Sequence, residues 1–213
     1  MRCRVSRHGA SHRARLVVFD RAGQRFDENE FLSPHGLRGL SAYHREHPYA
    51  LQYDSVTASI DYEPAESTTP MFGGIPTGGP IWFPLNYVMV STLERYHRFC
   101  GDDFTIEYPT GSGRQLTLDK VAADLADRLI SIFTQDQDGR RACSGGTERM
   151  QADPEWHDNL ILSEYLHGDN GAAIGAFHQT GWTGVVADLI RRRHGEVEAV
   201  GDVIRRIIME PEQ

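Results

Sequence analysis

The chain has 213 residues, with 39% hydrophobic and 24% charged content, enough to bury a core and typical of a globular protein. Its net charge of −8 is unevenly spread: residues 1–25 hold seven arginines and one acid, Asp20, so the remainder is strongly acidic. No run of about 18 apolar residues occurs, so no membrane partner is expected. The basic arm alone would suit nucleic acid. The acidic body, without basic residues interleaved with aromatics, argues against it, and no nucleic-acid partner is expected. Cys3, Cys100 and Cys143 are odd in number and far apart. They read as reduced thiols, and the chain as cytoplasmic, with neither a disulfide framework nor a zinc site.

Residues 1–25 carry one apolar run, Leu16-Val17-Val18-Phe19, and read as a basic, poorly ordered arm; residues 26–213 read as one domain. Ala50–Tyr53 and Thr57–Tyr62, separated by Asp54-Ser55, predict a small β-hairpin. A Gly/Pro-rich stretch follows from Pro64 to Pro84, long for a loop inside a compact domain. Four helices come next. The first starts at Pro84, presents Leu85, Val88, Met89, Thr92, Leu93 and Tyr96, and ends near Gly101. The second has Thr117 as N-cap and presents Leu118, Val121, Ala122, Leu125, Leu129 and Ile132. The third opens near Thr180 with Trp182, Val185, Val186, Leu189 and Ile190, closed by Gly195. The fourth runs from about Glu196 with Val200, Ile204, Ile207 and Ile208. Asp153-Pro154 marks an N-cap and first turn of a short helix. Leu160–His167 is too short for its period to separate helix from strand; an extended segment ending at Gly168-Asp169-Asn170-Gly171 is the preferred reading. Gly111–Arg114 reads as a helix-entry turn rather than a phosphate cradle.

Seven blocks resemble glycoside hydrolase family 63, the processing α-glucosidases and their prokaryotic relatives. They are Asp27–Gly36, Tyr62–Ser67, Gly79–Tyr87, Tyr108–Arg114, Gly145–Glu148, Ser163–Gly171 and His178–Thr183. The resemblance implies an all-α fold, the carboxy-terminal part of an (α/α)6 toroid, alongside the small β-hairpin read above. It implies hydrolysis of an α-linked glucoside or oligosaccharide with inversion, and no cofactor. It places the general base at Glu164 and the general acid, an aspartate, upstream of these blocks. The expected partner is therefore an upstream half of the same enzyme; the alternative is an inactive remnant or interaction segment. One departure stands out: Pro76-Thr77-Gly78 precede Gly79, where the family carries Trp-Arg.

Inversion needs one carboxyl to protonate the leaving oxygen and another to activate water on the opposite face of the sugar. By composition alone Glu164 reads as an exposed loop glutamate; the resemblance makes it the base. Trp82 and Trp182 are candidate sugar-stacking platforms, with a core role the alternative for Trp182. Asn86, Tyr165 and Gln179 complete the candidate substrate contacts; Tyr87, His167 and His178 are weaker. His167, Asp169 and His178 fit no standard ligand spacing, so no metal is expected. Glu164, Trp82 and Trp182 should line one concave face, with Glu164 on a loop or short strand. One or both of the predicted helices at 85–96 and 118–132 should expose apolar residues along an open edge.

Overall fold

A computed structural model describes residues 22–66 and 78–193. In chain order the elements are α1 (Ala22–Arg25), β1 (Leu32–Ser33), β2 (Gly36–Leu37), β3 (Tyr49–Tyr53), β4 (Val56–Ile60), α2 (Phe83–Cys100), β5 (Thr105–Glu107), β6 (Gln115–Thr117), α3 (Leu118–Ser131), α4 (Glu148–Ala152), α5 (Pro154–His157), β7 (Tyr165–Leu166), β8 (Ala173–Ile174) and α6 (Val186–Arg193). Residues 1–21 of the basic arm and the helix expected from Glu196 lie outside the described residues.

The all-α expectation is overturned, and with it the partial toroid. Of the described residues about 39% are helical and 16% strand, with six α-helices among them. Each strand pairs with its sequence neighbour in one of four antiparallel two-stranded sheets. The physical reason lies in the connecting segments. At β1, β2 and β7 they are buried, where backbone N–H and C=O groups must find partners, and short antiparallel pairs supply them locally. Hydrophobic period cannot reveal pairs of two or three residues.

The core forms where α2 and α3 pack together. α3 buries Leu118, Val121, Ala122, Leu125, Ala126 and Leu129, the stripe its period predicted. Each leucine fully removed from water contributes about 1.5–3 kcal/mol. Phe83 closes one end against Phe133, ring centroids 6.0 Å apart. Phe26 and Tyr108 pack edge to face at 5.3 Å.

α2 corrects its predicted face. It starts at Phe83, one residue before Pro84, and buries Phe83, Asn86, Val90 and Leu93. Leu85 (66% exposed), Val88 (58%) and Phe99 (63%) face outward. The helix carries two apolar stripes; Phe83 and Asn86, each with a buried partner, decide which one turns inward. The open apolar edge thus falls on α2 and not on α3. The β3–β4 hairpin forms with Asp54-Ser55 at its turn and stands largely exposed. Asp153 caps the short α5 by accepting from Glu155 N, as its Asp-Pro pair predicted. Before α6 the chain makes a 3-10 turn, Thr183–Val185. Residues 111–114 are the tip of the β5–β6 hairpin, where Gly113 N donates to the Glu107 carboxylate.

Ile81 joins three distant parts of the chain. It bridges Arg38, beyond β2, and Leu166 in β7. Ile81 N donates to Leu166 O at 2.8 Å, and Leu166 N to Ile81 O at 3.1 Å. Glycines permit the next layer: a Cβ on Gly79 would stand 1.9 Å from Glu63 O, and one on Gly168 would stand 2.4 Å from Gly79 O.

Candidate functional site

The antiparallel match of Ile81 with Leu166 places their neighbours Trp82 and Tyr165 across from one another. Their rings lie 5.4 Å apart, tilted by 34°. Trp182, at the entrance of the 3-10 turn, approaches Trp82 edge-on at 6.3 Å. Three of the sequence-predicted residues are therefore one aromatic cluster. Trp182 is 40% exposed and does not join Val186 in the core, so the core alternative is set aside. Trp82 is half-buried beneath Gly39, where a Cβ would stand 3.3 Å from the indole.

Glu164 immediately precedes β7, outside any helix. Its backbone N donates to Ala176 O at 2.9 Å, and its carboxylate accepts from Ala176 N at 3.4 Å. Thr183 donates its hydroxyl hydrogen to Ser163 O, tying the Glu164 segment to the turn that carries Trp182. Gln179 shapes the same turn through its backbone: its N donates to Leu162 O, and its carbonyl accepts from Trp182 N and Thr183 N. The Gln179 side chain is half-buried beside them.

Asn86 is not a sugar ligand in this arrangement. It is 4% exposed, and its amide is spent on backbone. Oδ1 accepts from Leu37 N at 2.7 Å, while Nδ2 donates to Leu37 O at 3.0 Å and Trp82 O at 3.1 Å. It clamps β2 to the start of α2 and so fixes the backbone that presents Trp82.

Sequence reasoning missed the polar network beside the cluster. Arg38, with its side chain 8% exposed, and Arg45 both pair with Asp169, at 3.2 and 2.6 Å. Tyr62 donates to Asp169 Oδ1 at 2.7 Å, and the Arg45 guanidinium lies 4.9 Å from the Tyr62 ring centre. Burial pushes the Asp169 carboxyl upward, but the Tyr62 hydrogen bond and the two arginines outweigh it and hold it below the usual range. Burial, then the bond to Asp169, pushes the Tyr62 phenol far upward. The network pins the turn after Leu166 to the β1–β2 region. Tyr62 and Asp169 lie in two of the blocks that resemble family 63, which is the signal of the network in the sequence.

Trp82 also walls a cleft of about 340 Å³ formed with Phe31, Leu37, Leu85 and Met89, with Arg25 at its edge. Among the described residues no group of three or more His, Cys, Asp or Glu is placed to hold a metal ion, and no helix is long and apolar enough to cross a membrane.

No family model matches the chain. It is similar to the uncharacterized protein YMR196W of Saccharomyces cerevisiae, 42% identical over 167 residues, which is 77% of this chain. The chain spans about 15% of the length of that relative.

Proposed function

We propose that this chain is a segment of an inverting α-glycoside hydrolase, with Glu164 as the general base. The observation that carries the reading is the Trp82–Tyr165–Trp182 cluster, with Glu164 on the residue before Tyr165 and its carboxylate held by Ala176 N. Pyranose C–H faces pack on indole planes, and the indole N–H and the Gln179 amide can meet ring hydroxyls. Glu164 then takes a proton from a water as that water's oxygen attacks the anomeric carbon. The bond to the leaving oxygen breaks on the opposite face, and configuration inverts. The leaving oxygen needs a proton from a second carboxyl, which the family likeness places upstream of residue 26. Activity therefore requires that second carboxyl as well as Glu164. Cys100 and Cys143 are free thiols, which suits a cytoplasmic setting.

D-Glucose titration of the whole chain, followed by tryptophan fluorescence, tests the reading. Quenching in the wild type that is lost in Trp82→Ala supports it; no response in the wild type refutes it. Within a full-length relative, Glu164→Gln should lower turnover at least about 100-fold, the usual scale of acid–base catalysis. The second reading, an inactive segment that docks with an upstream half, is favoured by the outward Leu85, Val88 and Phe99 of α2.

A further inference from the structure

Tyr165 is 3% exposed, and its hydroxyl donates to Glu66 Oε1 at 3.1 Å. The two residues are 99 apart in sequence. Glu66 is itself exposed, so burial of its own side chain does not hold it there. The backbone just before it does: Gly168 N donates to Pro64 O at 2.8 Å, and Gly79 closes on Glu63. The Tyr165 ring is confined in turn. A Cβ on Gly175 would stand 2.4 Å from its Cε1, and Trp82 lies 5.4 Å away. The phenol thus has a fixed place and a fixed use for its proton.

We propose that Glu66 is a positioning residue of this site, acting through Tyr165: it takes the phenolic hydrogen bond and holds the buried ring against Trp82, so that the indole keeps the orientation a sugar face would stack on. The inference rests on the sugar-site reading above. It adds a second carboxylate to the cluster, from a sequence block that had no assigned role. Burial first, then the Glu66 hydrogen bond, and then the charges of Glu66 and Glu164 push the Tyr165 phenol up to about 12, so it stays a neutral donor at physiological pH.

The test compares the full wild-type chain with Glu66→Gln, Glu66→Asp, Tyr165→Phe and the Glu66→Gln/Tyr165→Phe double variant. The ultraviolet titration of Tyr165 is isolated by subtracting the Tyr165→Phe curve. It should move down by about one pH unit in Glu66→Gln, a tenfold easier ionisation, and return toward wild type in Glu66→Asp. D-Glucose affinity read by tryptophan fluorescence should fall about five- to tenfold in Glu66→Gln, the scale of one charge-assisted hydrogen bond. In the Tyr165→Phe background the same change should have no further effect. Superimposable Tyr165 titrations, or an equal loss of affinity with and without the phenol, overturn the proposal. A wild type that ignores glucose refutes the sugar-site reading instead, and the Tyr165 titration then decides alone whether Glu66 positions the ring.

Discussion

Gly79→Ala is the sharpest probe of how the site is held. An added Cβ would stand 1.9 Å from Glu63 O, 2.5 Å from Glu63 C and 2.9 Å from Pro64 Cα. All three atoms are backbone, so no side-chain rotation relieves the contact. The 62–64 segment has to retreat by about 1.5 Å to reach ordinary van der Waals distance. That retreat carries Tyr62 away from Asp169 and Pro64 O away from Gly168 N, bonds of 2.7 and 2.8 Å. Losing a hydrogen bond to a charged group costs about 1.5–3 kcal/mol, and overpacking adds about 1–3 kcal/mol. The sum, roughly 3–6 kcal/mol, is a large part of a typical domain's stability. At about 2–4 °C per kcal/mol for a chain of this size, Tm should drop by roughly 6–24 °C. Gly146→Ala is the control: nothing lies within 4 Å of its Cβ. It should stay within about 0.5 kcal/mol of wild type. Thermal unfolding followed by circular dichroism measures both. Equal Tm values for Gly79→Ala and wild type would mean that the close approach of residue 79 to the 63–64 backbone does not exist.

Asn86→Ala should cost about 1–3 kcal/mol in urea unfolding, because it leaves the buried Leu37 N–H without its acceptor. Asp169 carries its own pH dependence. Its folded pKa lies below the ordinary 3.8, so its contribution is full above that value and is lost as pH falls through the lower folded one. Stability against pH should therefore fall less steeply in that acid window for Asp169→Asn than for wild type. Tyr53, 81% exposed on the β3–β4 hairpin, should tolerate Ser within about 0.5 kcal/mol in the same unfolding assay. The chain alone should hydrolyse no α-glucoside above background, and robust turnover by it would show that a proton donor is already present.

Legibility followed the length scale of the signal. The α3 stripe from Leu118 to Leu129 repeats often enough for period to identify both the helix and its buried face. The β3–β4 hairpin was legible because Asp54-Ser55 separates two alternating runs. α2 was half legible: its existence was plain, but two apolar stripes compete, and a polar residue, Asn86, selects the inward one. The extended segment ending at the 168–171 turn anticipated β7, but β1–β2, β5–β6 and β8 were not legible, because strands of two or three residues are too short to show an alternating period. The aromatic members of the site were found through residue type and block resemblance. Glu66, Arg38 and Asp169 were not, because their roles depend on contacts across roughly 100 residues or more, which no local pattern encodes.

The bridge at Ile81 has a kinetic meaning. Trp82 meets Tyr165 only after the whole α2–α3 helical pair has been spanned, so the cluster cannot form as a local nucleus. Closing so large a loop carries an entropic cost that only the completed packing repays. Tryptophan emission should accordingly report the last stage of folding, rising after the far-ultraviolet helix signal has recovered rather than along with it.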